Sequence, residues 1–195
     1  YRKGDNFMSN TKILTGGSLP NMPWQEAPAT IVNAPLWRYK ENPIIDRNPI
    51  ENVARIFNSA VVPYEGKYIG VFRGEQTNGV SFLYIGRSED GIHWSFEKDK
   101  IQFIDEKGND FQPKYAYDPR LVEIEGVYYI MWCTDFYGAA IGMAKTVDFK
   151  TFTRIENPFI PYNRNAVLFP RKVHDNFMLL SRPSDSGHTP FGDIF

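Results

Sequence analysis

From Ile56 onward, short apolar runs alternate with turn residues, and the runs recur in the same order. Ser59-Ala-Val-Val-Pro-Tyr-Glu-Gly-Lys-Tyr-Ile-Gly-Val-Phe-Arg73 predicts strand, turn, strand, with Glu65-Gly66 at the hairpin and Tyr68 to Phe72 as the second strand. Asp118 to Cys133 has the same layout and turns at Glu125-Gly126 before Tyr128 to Trp132. A third copy opens at Asn165-Ala-Val-Leu-Phe-Pro, turns at His174-Asp175-Asn176 and runs on from Phe177 to Leu180. The later halves correspond as well: Gly86-Arg-Ser-Glu-Asp-Gly-Ile-His-Trp94 aligns with Ala144-Lys-Thr-Val-Asp-Phe-Lys-Thr-Phe152. In each, a strand ends at an aspartate turn and an aromatic opens the next strand. No window carries the i, i+3, i+4, i+7 spacing of an amphipathic helix.

Units of about 50 to 60 residues, each with four short strands, are what a β-propeller blade requires. Residues 51–195 hold two complete units and the first half of a third. A propeller closes with at least about four blades, so the expectation is an all-β propeller domain that is truncated here. Residues 1–50 read as a lead-in rich in Gly, Pro and Asn, with Trp24 and Trp37 spaced among them. A segment of that length needs a surface to lie on, either the domain body or a neighbouring subunit, and the second choice predicts a homo-oligomer. Met8-Ser-Asn-Thr-Lys reads as a natural start, which makes residues 1–7 upstream sequence.

Bulk composition narrows the function classes. A net charge of −1 gives no pull toward nucleic acid or an acidic membrane surface. The aromatic content of 15%, with 14 prolines and 15 glycines, suits an all-β fold and also suits stacking on sugar rings. No apolar run reaches membrane-spanning length and no secretory leader is visible, so a cytoplasmic location is expected. The single cysteine, Cys133 in Tyr-Ile-Met-Trp-Cys, reads as a small core residue rather than a nucleophile. Three scattered histidines and one cysteine offer no metal-ligand spacing, and no nucleotide-type glycine loop or nucleophile elbow is present.

The candidate chemistry centres on Tyr115-Ala-Tyr-Asp-Pro-Arg120. Proline at 119 biases Asp118 toward extended backbone and places it at the mouth of the strand Leu121 to Ile124. A carboxylate set among tyrosine faces can serve as a general acid; the plainer alternative is a turn aspartate paired with Arg120. In a propeller the innermost strands line one channel, so the starts of successive units converge. Those starts are Asn58-Ser59, Tyr117 to Arg120, and Asn163-Arg164-Asn165. The ends of the second strands add Arg73-Gly-Glu75 and Arg182-Pro-Ser-Asp185, with His188 just beyond. Two arginines and a histidine with few acids beside them fit a small oxyanion, because the guanidinium fork matches phosphate oxygens bidentately. The alternative for Arg164 and Arg182 is structural ion pairing. Asp148 and Glu89-Asp90 read as solvated turns, Arg171 as surface, and Lys172 as either surface or site.

Ile56-Phe-Asn-Ser-Ala-Val, Val71-Phe-Arg, the Tyr115 to Arg120 run, Phe159-Ile-Pro-Tyr-Asn-Arg-Asn-Ala-Val-Leu-Phe-Pro-Arg-Lys172 and Leu180 to Asp193 together resemble glycoside hydrolase family 130, the β-mannoside phosphorylases. The resemblance runs from about Trp37 to the last residue, and it is nearest to the branch acting on β-1,4-mannosyl-N-acetylglucosamine and β-1,4-mannooligosaccharides. It implies a five-bladed β-propeller of which this chain is roughly the N-terminal half. It also implies inverting phosphorolysis, in which inorganic phosphate attacks the anomeric carbon and yields α-mannose 1-phosphate, with no cofactor. One acid suffices because phosphate needs no base. Asp118 matches that acid, whose proton reaches the leaving oxygen through the sugar 3-hydroxyl. Arg164, Arg182 and His188 match the phosphate-binding positions. Asn58, Ser59, Arg73, Glu75 and Asn165 match the mannose side of the site, glutamate at 75 replacing a common aspartate. Asn78-Gly-Val-Ser lacks basic residues that some relatives carry, which leaves the leaving-group sugar open. An inverting β-mannosidase of the same fold and a non-catalytic glycan-binding propeller are the alternatives; the basic trio argues against the first and an intact Asp118 against the second.

Overall fold

The computed structural model describes residues 21–23, 36 and 38–184 of the chain. Trp24, Trp37, His188 and most of the 1–50 lead-in lie outside the described residues. Twelve strands and no helix are found among those described: β1 (Val53–Tyr64), β2 (Lys67–Gln76), β3 (Ser81–Ser88), β4 (Ser95–Lys100), β5 (Phe103–Ile104), β6 (Asp110–Phe111), β7 (Tyr117–Ile124), β8 (Val127–Asp135), β9 (Ala139–Thr146), β10 (Phe152–Ile155), β11 (Asn163–Leu168) and β12 (Leu179–Pro183). They form three antiparallel meanders packed side by side: a four-stranded sheet β1 to β4, a larger sheet built on β7 to β10, and the pair β11–β12. Strand β1 packs against β7, and β7 against β11, so the first strand of each unit lies innermost.

The hairpins follow from turn chemistry. Glu65-Gly66 joins β1 to β2 with φ of 49° and 75°, and Glu125-Gly126 joins β7 to β8 with 55° and 79°. Two residues with positive φ make the turn whose twist matches a right-handed pair of strands. His174-Asp175, at 50° and 60°, makes the same kind of turn beside the Val173–Asn176 bridge. The third unit's outgoing strand starts at Leu179, not at Phe177 as its apolar run predicts, and continues to Pro183.

The second sheet departs from the four-strand expectation. A short β5–β6 hairpin, cut from the connection between units, adds itself to the outer edge by pairing β5 parallel to β10. Phe103 on β5 stacks on Trp132 at 4.6 Å, which ties this edge to the core between the first two sheets. That core contains Ile69, Val71, Leu83 and Ile85 from the first sheet, Ile130, Trp132 and Phe152 from the second, and Phe149 from the turn between β9 and β10. A second core joins Ile124, Met131 and Ile141 to Ala166 and Leu168 of the third. Gly142 exists to seat the indole: a Cβ there would stand 2.3 Å from Trp132 Cε2.

The aspartate turns are structural rather than solvated. Ser88 Oγ accepts from the amides of Asp90 and Gly91, and Asp90 Oδ1 from those of Ile92 and His93. Thr146 Oγ1 accepts in the same way from Asp148 and Phe149, and Asp148 Oδ1 from Lys150 and Thr151. The donated hydrogen bonds hold both carboxyls below the ordinary carboxylate range, those from His93 contributing most for Asp90 and those from Thr151 and Lys150 for Asp148. A carboxyl depressed on folding contributes stability above its unfolded pKa of about 4 and loses it as pH falls toward the folded value. Thermal denaturation is therefore expected to show a melting temperature that falls steeply below about pH 4. The double variant Asp90→Asn, Asp148→Asn should flatten that acid limb; an unchanged limb would contradict the assignment.

Candidate active site

The first strand of every unit carries the same irregularity at the same place. Phe57 pairs with Arg73 and Ala60 with Val71; Tyr117 pairs with Cys133 and Arg120 with Met131; Arg164 pairs with Arg182 and Val167 with Leu180. In each case two residues oppose one, which is a β-bulge, and the first of the two is left-handed: Asn58 at φ 48°, Asp118 at 51° and Asn165 at 54°. Asparagine and aspartate tolerate this region far better than bulkier residues. Asp118 thus lies inside β7 in left-handed backbone, not extended at the strand's mouth. The pairing of the innermost strands overrides the local bias that Pro119 imposes, and the bulge re-aims the carboxylate.

Equivalent positions around the bulges carry different chemistry. The first unit contributes Phe57, Asn58 and Arg73, the second Tyr117, Asp118 and Cys133, the third Arg164, Asn165 and Arg182. Asp118 Oδ1 accepts from Asn58 Nδ2 at 2.8 Å and from Arg73 Nη1 at 2.8 Å. Arg73 lies between two rings, 4.0 Å from the Phe57 centroid and 5.1 Å from that of Tyr117. Its side chain is 19% exposed and that of Asp118 20%, so the pair is sheltered yet reachable. Oδ2 of Asp118 has no partner among the described residues. Arg120 does not pair with Asp118; its Nη1 donates to the carbonyls of Pro119 at 2.9 Å and Asp118 at 3.4 Å.

Arg164 and Arg182 are direct cross-strand neighbours, and no ion pair among the described residues involves either. The Nε atoms of both are buried without a hydrogen-bond partner. Like charges directly opposed on a sheet repel, and no ion pair among the described residues offsets that repulsion. Burial raises the pKa of Tyr115 and Tyr117, with Arg164 pulling the other way, and both stay phenols at neutral pH. Burial likewise raises the Cys133 thiol. It donates to Asn165 Oδ1 at 3.1 Å and accepts from the Asn165 amide at 3.4 Å, which locks the third bulge to the second sheet.

Of the remaining candidates, Ser59 lines a mainly apolar cavity of about 500 Å³ on the first sheet with Ile56 and Val61. Glu75 is held by Arg55, whose Nε donates to it at 2.7 Å. Lys172 is engaged elsewhere, 2.6 Å from Glu125. A cavity of about 590 Å³ near Glu65 has both its lysine and its arginine paired, Lys67 with Glu89 and Arg87 with Glu97, and is no part of the site. The cradle that Phe57 forms under Arg73 and the anchoring of Asn165 by Cys133 escape a reading of the sequence. Only strand register brings these residues together.

Three antiparallel sheets set side by side, with their first strands in contact, are the arrangement of successive β-propeller blades. A solved beta-1,2-mannobiose phosphorylase from Listeria innocua shares this fold, with a TM-score of 0.66 and 20% identity over 81% of this chain and 61% of that one. Residues 18–195 match the family described as beta-1,4-mannooligosaccharide phosphorylase, and the chain belongs to that family, glycoside hydrolase family 130. A beta-1,4-mannooligosaccharide phosphorylase from Ruminococcus albus is 50% identical over 192 residues, covering 95% of this chain and 57% of that relative. The Listeria innocua beta-1,2-mannobiose phosphorylase is 27% identical over 106 residues, or 54% of this chain and 29% of that one. The chain thus spans little more than half the length of the Ruminococcus relative.

The bulge geometry makes a stability prediction. Asn58→Val and Asn58→Gly both remove the amide from Asp118, but only valine strains left-handed backbone. Urea denaturation is expected to find the valine variant less stable by about 1–2 kcal/mol; equal stabilities would contradict a required left-handed Asn58.

Proposed function

We propose that the chain forms the N-terminal blades of a five-bladed propeller that cleaves β-1,4-mannosides by inverting phosphorolysis, transferring the mannosyl group to phosphate as α-mannose 1-phosphate. The observation that carries this reading is the opposed pair Arg164 and Arg182, in no ion pair among the described residues, beside the bulge that matches Asp118's own. Family membership and the half-identical Ruminococcus relative support the same reaction class. Asn58 and Arg73 occupy Oδ1 and fix the carboxyl plane, which leaves Oδ2 to carry the proton. That proton passes to the leaving glycosidic oxygen, through the sugar 3-hydroxyl, as the C–O bond breaks. Phosphate, held by the two guanidinium groups and His188, forms the new bond from the opposite face, so configuration inverts and no second carboxylate is needed. Asn58, Arg73 and Asn165 then stand at the mannose, Ser59 and Glu75 at its margin. The substrate is a β-1,4-mannooligosaccharide or β-1,4-mannosyl-N-acetylglucosamine, with phosphate as co-substrate; the protein acts in the cytoplasm as a homo-oligomer.

Full-length protein incubated with β-1,4-mannobiose should release mannose 1-phosphate only when phosphate is present. Free mannose at the same rate without phosphate would overturn the reading in favour of a hydrolase. Asp118→Asn is expected to lower kcat by about two to four orders of magnitude while mannobiose still binds. Arg182→Ala should raise the KM for phosphate about tenfold or more and leave that for mannobiose nearly unchanged; equal loss of both would remove Arg182 from the phosphate site.

A further inference from the structure

A groove on the second sheet opens at the end of the strands where Asp118 lies. It consists of two adjoining cavities of about 190 and 430 Å³ that share Phe136, Arg154 and Asn157. Trp132 and Arg154 line the smaller one, and the indole Nε1 and guanidinium Nε are both buried with no hydrogen-bond partner among the described residues. Trp132 is only 2% exposed. Two N–H donors left unmatched inside a protein are costly unless a ligand or water accepts from them. Arg154 is held in place from its other sides, its charge 4.4 Å over the Phe111 ring and its Nη2 donating to Asn157 Oδ1 at 3.3 Å.

The walls are apolar and open. Phe136 is 49% exposed and Ile160 81%. Tyr137, beside Phe136 at the tip of the β8–β9 hairpin, is 85% exposed and its ring centroid lies 5.0 Å from that of Phe136. Large aromatic faces left in water at a hairpin tip, above buried donors, are the components of a sugar site: a stacking face and convergent polar groups. The charged residues at the groove balance, Lys114 and Arg154 against Asp135 and Glu156, which suits a neutral hydroxylated ligand better than an anion.

The groove adjoins the site already described. Thr134, on its wall, donates to the Tyr115 carbonyl at 2.7 Å, and the Tyr115 ring lies 5.9 Å from that of Tyr117, next to Asp118. Cys133 pairs with Tyr117, and Phe136 follows three residues later. At roughly 3.3 Å per strand residue, the groove begins about 10 Å from the bulge. A glycan whose scissile bond lies at Asp118 reaches it with sugar units beyond the bond.

We propose that this groove, floored by Trp132 and Arg154 and walled by Phe136 and Ile160, is a distal subsite that binds the remote sugar units of a β-mannooligosaccharide and favours longer chains. The assignment rests on the phosphorolysis proposed above. Phe136 is half exposed, so Phe136→Ala leaves the fold intact; Arg154→Gln is the second variant. In full-length protein, Phe136→Ala is expected to raise the KM for β-1,4-mannotetraose about tenfold and that for β-1,4-mannobiose less than twofold. Arg154→Gln should shift the same ratio in the same direction. Calorimetric titration with mannotetraose, which needs no turnover, should show the same weakening. Equal KM values for wild type and Phe136→Ala on both substrates, or equal losses on both, would overturn the subsite; in the first case the buried donors serve ordered water only. Mannotetraose that binds through Phe136 without any mannose 1-phosphate formed would retain the groove and overturn the reaction instead.

Discussion

The site depends on one backbone constraint, the left-handed bulge residue in each innermost strand. Asparagine and aspartate enter that region at lower cost than most L-residues, and at the three bulges the occupants are Asn58, Asp118 and Asn165. Two are asparagines whose amides serve their neighbours, Asn58 donating to Asp118 and Asn165 accepting from Cys133. The third is a carboxylate. The repeat supplies one geometry in each unit, and substitution within it supplies the chemistry. Phe57, Tyr117 and Arg164 precede the bulge residues, and Arg73, Cys133 and Arg182 face them across the hairpin.

This arrangement explains why charges concentrate where sheet physics disfavours them. Arg73 is tolerated in a half-buried position because two aromatic rings and Asp118 compensate it. Arg164 and Arg182 have no such compensation among the described residues, and their buried Nε atoms stay unmatched. A fold selected for stability alone would not oppose two arginines in register. Under the proposed function a bound oxyanion offsets that repulsion, which ties the opposed pair to the proposed chemistry.

Much of this was legible before any coordinates. The Glu-Gly turns at 65–66 and 125–126, the repeated aspartate turns and the absence of helical spacing were enough for the all-β repeat, because turn chemistry is local. Convergence of Asn58, Asp118 and Asn165 followed from the repeat, since equivalent positions in blades must meet. What was not legible depends on register and on contacts between distant residues. Pro119 argued for extended backbone at Asp118, and inter-strand pairing won. Asp90 and Asp148 looked solvated because the amides that bind them come from the turn's own fold. The parallel β5–β10 edge and the ring cradle of Arg73 join residues with no local signature.

The most direct test is a crystal structure of the full-length protein with inorganic phosphate and β-1,4-mannobiose bound. The account predicts phosphate bridging the guanidinium groups of Arg164 and Arg182, with the sugar hydroxyl nearest the scissile bond facing Oδ2 of Asp118. Phosphate bound elsewhere, with that arginine pair closed on a carboxylate of the protein, would contradict it.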